Sequence, residues 1–311
     1  MVLRKFGHLA NKQEVQEIIL RRGQLTASVL TYGAAIRSLT FEGREIALGF
    51  DSIEDYLRYA PDLGAILSTE EDPDQSPTKM QSWNNWPDLH LWTLEEAAAD
   101  RVRLSLSVPI GAADKGERAE LICQYILMPN NTLRIELEGH SDKEAYFNPR
   151  FHGVFNLSPT QKLETHCVSI PASGYSSPVS GKAAWLQIAD VEGTRYDLRN
   201  AHRMASDAGR PLDVTYYMRL NRLTVPELSA VVQEDTTGTK MEVWSTEPGL
   251  VYREGLSIRP GSHCRAPNQP ARQGFSIEPQ GWPRTKEKHE FSNVILKPGE
   301  VYKQRTEFRF S

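Results

Sequence analysis

Cysteine is scarce in this chain. There are three in 311 residues, Cys123, Cys167 and Cys264, far apart and odd in number. No CxxC pair and no zinc-ligand spacing accompanies them, so neither a disulfide framework nor a zinc site is written in the sequence. Free thiols in a reducing compartment are the expectation that remains. Long apolar runs are also missing, and no stretch approaches the ~18 residues of a membrane span. The opening residues Met1 to His8 carry the basic pair Arg4 and Lys5 with no apolar segment behind it. That predicts a protein without a secretory leader, working in the cytoplasm away from membranes. Charge of one sign is lacking too. Lys plus Arg is 36 and Asp plus Glu is 40, a net charge of -4, which argues against binding nucleic acid by bulk charge. There is no P-loop, no GxGxxG, no HExxH and no GxSxG.

What the chain does have is alternation of period two, broken by turn residues. Residues 25–32 are β-rich and end at Gly33. Residues 38–41 and 46–48 flank a Glu42-Gly43 turn, a short hairpin signal. Val102, Leu104, Leu106 and Val108 alternate strictly with Arg103, Ser105 and Ser107. Residues 121–127 and 133–137 flank Met128-Pro129-Asn130-Asn131, and residues 230–233 and 241–245 flank Asp235-Thr236-Thr237-Gly238. Residues 301–310 alternate as well. Helical signals are few: Ser52 as a cap ahead of Ile53, Tyr56 and Leu57, with Asp55 at the capping-box position, and a run of helix formers over 93–99. Proline and glycine are spread along the chain, with no linker and no fixed repeat. The expectation is an all-β protein, one large antiparallel β-sandwich domain spanning 1–311.

Three regions are candidates for chemistry. Residues 69–77 are acidic and hold two prolines, as a solvated loop does. Half of the six tryptophans follow closely, Trp83, Trp86 and Trp92, beside Asn84 and Asn85. Aromatics next to amides suit the CH faces and hydroxyls of a sugar, and core packing explains them equally well. Asn148-Pro149-Arg150-Phe151-His152 places a histidine after a proline-bent strand start. In Gly274-Phe275-Ser276-Ile277-Glu278-Pro279, Ser276 and Glu278 share one face of an extended run. A carboxylate at such a rim, near Trp282, is expected to be partly desolvated with a raised pKa.

These segments together resemble the aldose 1-epimerase (galactose mutarotase-like) family along nearly the whole chain. Residues 30–39 resemble its "NYGA" strand, and 47–56 its "vLGfdsxxxY" segment. Asn148, His152, Phe155, Asn156 and Leu157 fit the pattern N-x-x-x-H-x-x-F-N-L. Residues 193–198 resemble "GTxxDfr", and 211–216 resemble "GYDHNY", which maps its sugar-binding aspartate to Asp213. Ser245-Thr246-Glu247-Pro248-Gly249 resembles "TTEPG". Glu278-Pro279-Gln280 with residues 295–302 resembles the closing "ExQ … iLkPGexY" signature. The resemblance implies a galactose mutarotase-like supersandwich, with Glu278 as base and His152 as general acid at the ring oxygen. It also implies no cofactor and no metal, a small carbohydrate as partner, and a monomer or homodimer.

The departures are as informative. The family's "GATVGRxANRI" stretch starts at Gly64 and then becomes Ser68-Thr69-Glu70-Glu71, so its sugar-binding arginine is absent. Its "HGG" motif, with a second active-site histidine, is missing, and that place falls near Gln81. The glutamine after "EPG" is Val251, beside Tyr252. The predicted substrate contacts are therefore Asp213, Asn148, Gln81, Trp83, Trp86 and Tyr252, with Asn84, Asn85 or Arg150 as further replacement contacts. Three functions compete: an anomer-interconverting epimerase on a standard or unusual sugar, a non-catalytic sugar-binding or regulatory relative, and a different isomerase or lyase reaction on an unusual carbohydrate. Convergence of His152, Asp213 and Glu278 on one cleft separates the first from a coincidence of motifs.

Overall fold

Alternation in the sequence becomes antiparallel sheet throughout. A computed structural model describes residues 2–68, 90–109, 116–160, 162–176, 188–205, 210–258, 272–282 and 294–311. The chain begins as a five-stranded meander, Val2–His8, Glu14–Arg22, Leu25–Leu30, Ile36–Phe41 and Arg44–Glu45. Its last turn is Glu42-Gly43, with φ of 52° and 77°. Two successive positive φ values define the turn whose twist matches a hairpin, and Gly43 adopts its value without a Cβ penalty.

A nine-stranded sheet forms the broad layer. Its centre is Lys240–Ser245, Tyr302–Phe310, Thr132–Ser141 and Arg118–Met128, and Thr93–Ala97 is one edge. That edge was rich in helix formers. It is a strand because Thr93 and Leu94 pair with Ser105 and Leu104, and Leu94 packs on the core. Tertiary pairing here overrides a weak local preference. Arg101–Pro109 buries its even-numbered residues Val102 to Val108 and turns the odd ones outward.

A six-stranded sheet runs Val154–Phe155, Arg272–Gln280, Gly249–Ile258, Asp213–Tyr217, Gly174–Ser176 and Ala189–Asp190. One hydrophobic core cluster draws on the five-, nine- and six-stranded sheets, including Ile18, Leu39, Tyr125, Leu133, Phe155, Tyr252, Phe275 and Phe308. The helix found among the described residues is Ile53–Tyr59, capped by Ser52, whose Oγ accepts from the Asp55 N–H at 3.2 Å. Trp92 is buried in the core, so this member of the aromatic stretch is a packing residue. Cys123 is a buried free thiol and Cys167 a half-buried one; Cys264 lies outside the described residues. No described helix is long and apolar enough to cross a membrane.

Candidate active site

Strand alternation carries Glu278 to the site. Phe275 and Ile277 go into the core, while Ser276 and Glu278 face the other way. Across the sheet, Val251 stands opposite Glu278 and Arg253 opposite Ser276. One strand further, Asp213 stands opposite Arg253. The second half of the site arrives from Pro149–Phe151 and the residue after it. Val154 and Phe155 pair with Ser276 and Phe275, which lays this segment alongside Glu278.

The backbone of His152 is held on both sides. Its N–H donates to the Ala65 carbonyl and its carbonyl accepts from the Gly64 N–H, each at 2.9 Å. Gly64 has φ of 73°, and a Cβ there would sit 2.2 Å from the Ile36 carbonyl oxygen. Only glycine fits that junction.

Glu278 is completely buried. Its Oε1 accepts from His152 Nδ1 at 2.7 Å, Ser276 Oγ at 2.7 Å and Arg253 Nη1 at 3.3 Å. Its Oε2 accepts from Arg150 Nε at 2.6 Å. An ionised carboxylate only accepts, so His152 carries a proton on Nδ1 and presents Nε2 away from Glu278. Burial pushes the Glu278 carboxyl up, but the His152 charge and hydrogen bond, then Arg150 and Arg253, overcome it and hold the pKa far below the usual range. The raised pKa expected from the sequence is thereby reversed, because desolvation was counted and the donors were not. Burial likewise pulls the His152 imidazole down, and the Glu278 charge and hydrogen bond outweigh it, leaving its pKa above the ordinary histidine value.

Arg253 links the centre to the rim. Its Nε donates to Asp213 Oδ1 at 3.1 Å while Nη1 reaches Glu278. His152, Glu278 and Asp213 therefore belong to one continuous charge network, with Asp213 at its exposed end. Arg253 was not among the predicted residues. Period-two counting from Val251 along the strand would have found it.

Two predicted contacts lie elsewhere. Tyr252 pairs with Ile277 and Val214, is fully buried in the hydrophobic core and faces away from Glu278. Its neighbours in sequence, Val251 and Arg253, take the site face, as alternation requires. Asn148 is buried, with Nδ2 donating to the Gly281 carbonyl at 3.1 Å and Oδ1 accepting from the Gly281 N–H at 2.7 Å. Its amide ties the start of one site strand to the end of the other and so positions the site. Gln81, Trp83, Trp86, Asn84 and Asn85 lie outside the described residues. Among the described residues no three of His, Cys, Asp and Glu gather as metal ligands. A groove of about 580 Å³ opens on the nine-stranded sheet beside Gln124, Glu136 and Arg305, with none of the Glu278 network in its lining.

A buried carboxylate in contact with an imidazole of raised pKa, the other imidazole nitrogen open, is an arrangement able to act as an acid–base pair in a sandwich of this architecture. The aldose 1-epimerase family model matches residues 71–309. The chain belongs to the aldose 1-epimerase family. Galactose mutarotase of Rattus norvegicus is 25% identical over 340 residues, covering 98% of this chain and 97% of the relative. That of Bos taurus is 25% identical over 332 residues, covering 96% and 94%. Among solved structures, a galactose 1-epimerase from Lactobacillus acidophilus aligns with a TM-score of 0.76 at 23% identity, covering 100% of this chain and 98% of that one. An aldose epimerase homologue from C. elegans aligns with a TM-score of 0.75 at 20% identity, covering 95% and 98%. These two likenesses establish the galactose mutarotase-like β-sandwich fold.

Proposed function

We propose that this protein interconverts the anomers of a reducing sugar by general acid–base ring opening, on a single sandwich domain. Glu278 takes the proton of the C1 hydroxyl. His152, through Nε2, gives a proton to the ring oxygen. The ring C–O bond breaks, the aldehyde turns, and reclosure on the other face reverses the two transfers. Oε2 of Glu278 has one donor, Arg150, and so keeps a lone pair for the hydroxyl. Each positioned transfer contributes about 10²–10⁴ in rate, roughly 3–5 kcal/mol of barrier. Asp213, exposed at the rim, holds sugar hydroxyls. The names of the relatives point to galactose, and the absent family arginine and second histidine point to weaker use of it or to a modified sugar.

The observation that carries this reading is the 2.7 Å contact between Glu278 and His152, which holds the Glu278 carboxyl below and the His152 imidazole above their ordinary pKa values, as a base and an acid need. The test is polarimetry of freshly dissolved α-galactose and α-glucose with wild type beside Glu278→Gln. Acceleration that the variant loses by about 10²-fold or more supports it. Equal rates for the two proteins would sink it. A second reading, a sugar binder without catalysis, draws on the four donors that crowd Glu278. Galactose binding without any acceleration would establish that alternative.

A further inference from the structure

Glu278 reaches out of its own row of the six-stranded sheet. Straight across stands Val251, with no polar side-chain atom to offer. The carboxylate is met from the adjacent row, in which Ser276, Arg253 and Asp213 stand side by side. Ser276 and Arg253 both donate to Oε1, at 2.7 and 3.3 Å, and His152 Nδ1 joins them at 2.7 Å. A carboxylate oxygen has about two lone pairs, so Oε1 is filled. Oε2 is left to Arg150 alone. One oxygen is thus anchored and the other keeps an open lone pair.

Ser276 is the anchoring group that carries no charge. It is completely buried, two residues before Glu278 on the same face and about 6.5–7 Å away along the strand. The Glu278 side chain therefore folds back along its own strand to bring Oε1 to the Ser276 Oγ. Facing an oxygen that only accepts, the hydroxyl donates. Arg253 divides its guanidinium between Glu278 and Asp213, and its longer contact makes it the weaker guide of Oε1. We propose that Ser276 is a positioning residue: its hydroxyl holds Glu278 Oε1 against His152, so that Oε2 is the oxygen that takes the sugar proton. That last role rests on the epimerase reading. A carboxylate free to turn reacts only while Oε2 faces the C1 hydroxyl, and a fixed one faces it throughout. The gain falls on turnover and not on sugar binding, because Ser276 touches Glu278 and not the sugar.

The experiment compares wild type, Ser276→Ala and Ser276→Thr in two measurements. One is titration of the His152 imidazole by proton NMR, its signal assigned by its loss in His152→Gln. The other is anomer exchange by polarimetry. The charged groups facing His152 are Glu278, Arg150 on its own segment and Asp62 from the turn after the helix. Arg253 faces Glu278 from the next strand, and Ser276→Ala changes none of these charges. In Ser276→Ala the released Oε1 is expected to let the His152 pKa fall toward the ordinary 6.5. The same variant is expected to lose about 10–100-fold in kcat with KM within about threefold. Ser276→Thr keeps the hydroxyl on a residue suited to a strand and is expected to recover most of both. A structural role alone would lower the unfolding temperature and leave the His152 titration of the folded protein in place. A titration unmoved or raised in folded Ser276→Ala, or wild-type kcat in it, overturns the role of Ser276 and leaves the epimerase standing. Failure of wild type to exchange the anomers of any sugar overturns the epimerase and the use of Oε2 with it, while the titration still decides whether Ser276 holds the carboxylate.

Discussion

Glu247 and Glu278 are both completely buried and both paired with arginine, yet their carboxyls shift in opposite directions. Glu247 follows the strand Lys240–Ser245 and meets one fork, Arg222, with Nε at 2.5 Å and Nη2 at 3.1 Å. Arg222 in turn lies over the Tyr302 ring, 4.4 Å from its centroid. Burial dominates there and pushes the Glu247 carboxyl up. Glu278 has two arginines, an imidazole and a hydroxyl, and its carboxyl is driven down. A single fork closes on its carboxylate and leaves nothing to spare. The Glu278 network keeps an orphaned Arg150 nitrogen, an imidazole nitrogen turned outward and an aspartate at the rim. Arginine pairing alone is therefore poor evidence of function, and surplus donors are better evidence.

The sharpest way to break this contrast is at His152. His152→Gln should lower kcat by about 10²–10⁴-fold with little change in unfolding. The wild-type pH profile carries the same test. The His152 pKa is raised, so the acid form is complete below the ordinary histidine value and is lost only as pH rises through the higher folded one. The basic limb of kcat should thus lie above the ordinary value of 6.5. A limb below it would contradict the ion pair, and the two groups titrate as a pair.

Glu247→Gln should do the reverse. It removes the charge facing Arg222 and is expected to cost about 1–3 kcal/mol in urea unfolding, with kcat of the folded protein unchanged. A fall in kcat to match Glu278→Gln would erase the distinction between the two sites. Asp213→Asn keeps a side chain of the same shape and takes away the charge that faces Arg253. The expected result is a rise in KM of about 3–10-fold, with kcat within about threefold, in initial-rate polarimetry. Tyr252→Phe has the smallest expected effect. The Tyr252 hydroxyl is buried and makes no hydrogen bond. Its removal should leave KM unchanged and unfolding within about 0.5 kcal/mol, or slightly raised. A clear rise in KM would return Tyr252 to the sugar site.

Much of the framework was legible because strands write themselves in period two. The burial of Val102 to Val108 and the Glu42-Gly43 turn follow from residue type alone. The edge Thr93–Ala97 did not, since its strand form depends on pairing with Ser105 and Leu104. At the site, family resemblance and alternation singled out Glu278, His152 and Ser276, whose side chains meet in the structure. The direction of the Glu278 pKa was misjudged because it depends on Arg150 and Arg253, which are brought within reach by register. Asn148 shows the converse. Its place in a functional pattern was visible, but its partner is a backbone group 133 residues away. Counting faces would have removed Tyr252, which lies between two site-facing positions.

The double grip on His152 has a consequence for how activity first appears. His152 exchanges backbone hydrogen bonds with Gly64 and Ala65, Val154 accepts from the Leu48 N–H, and Asn156 donates to the Ile46 carbonyl. Glu278 comes from the opposite end of the chain. The His152–Glu278 pair thus forms only when the stretch 46–65, the segment around residue 150 and the strand Arg272–Gln280 have all met. Contacts of such separation are among the slowest to close in a refolding chain. Refolding protein should therefore regain its β-sheet signal before its turnover, and turnover then becomes a clock for the last docking event rather than for sheet formation.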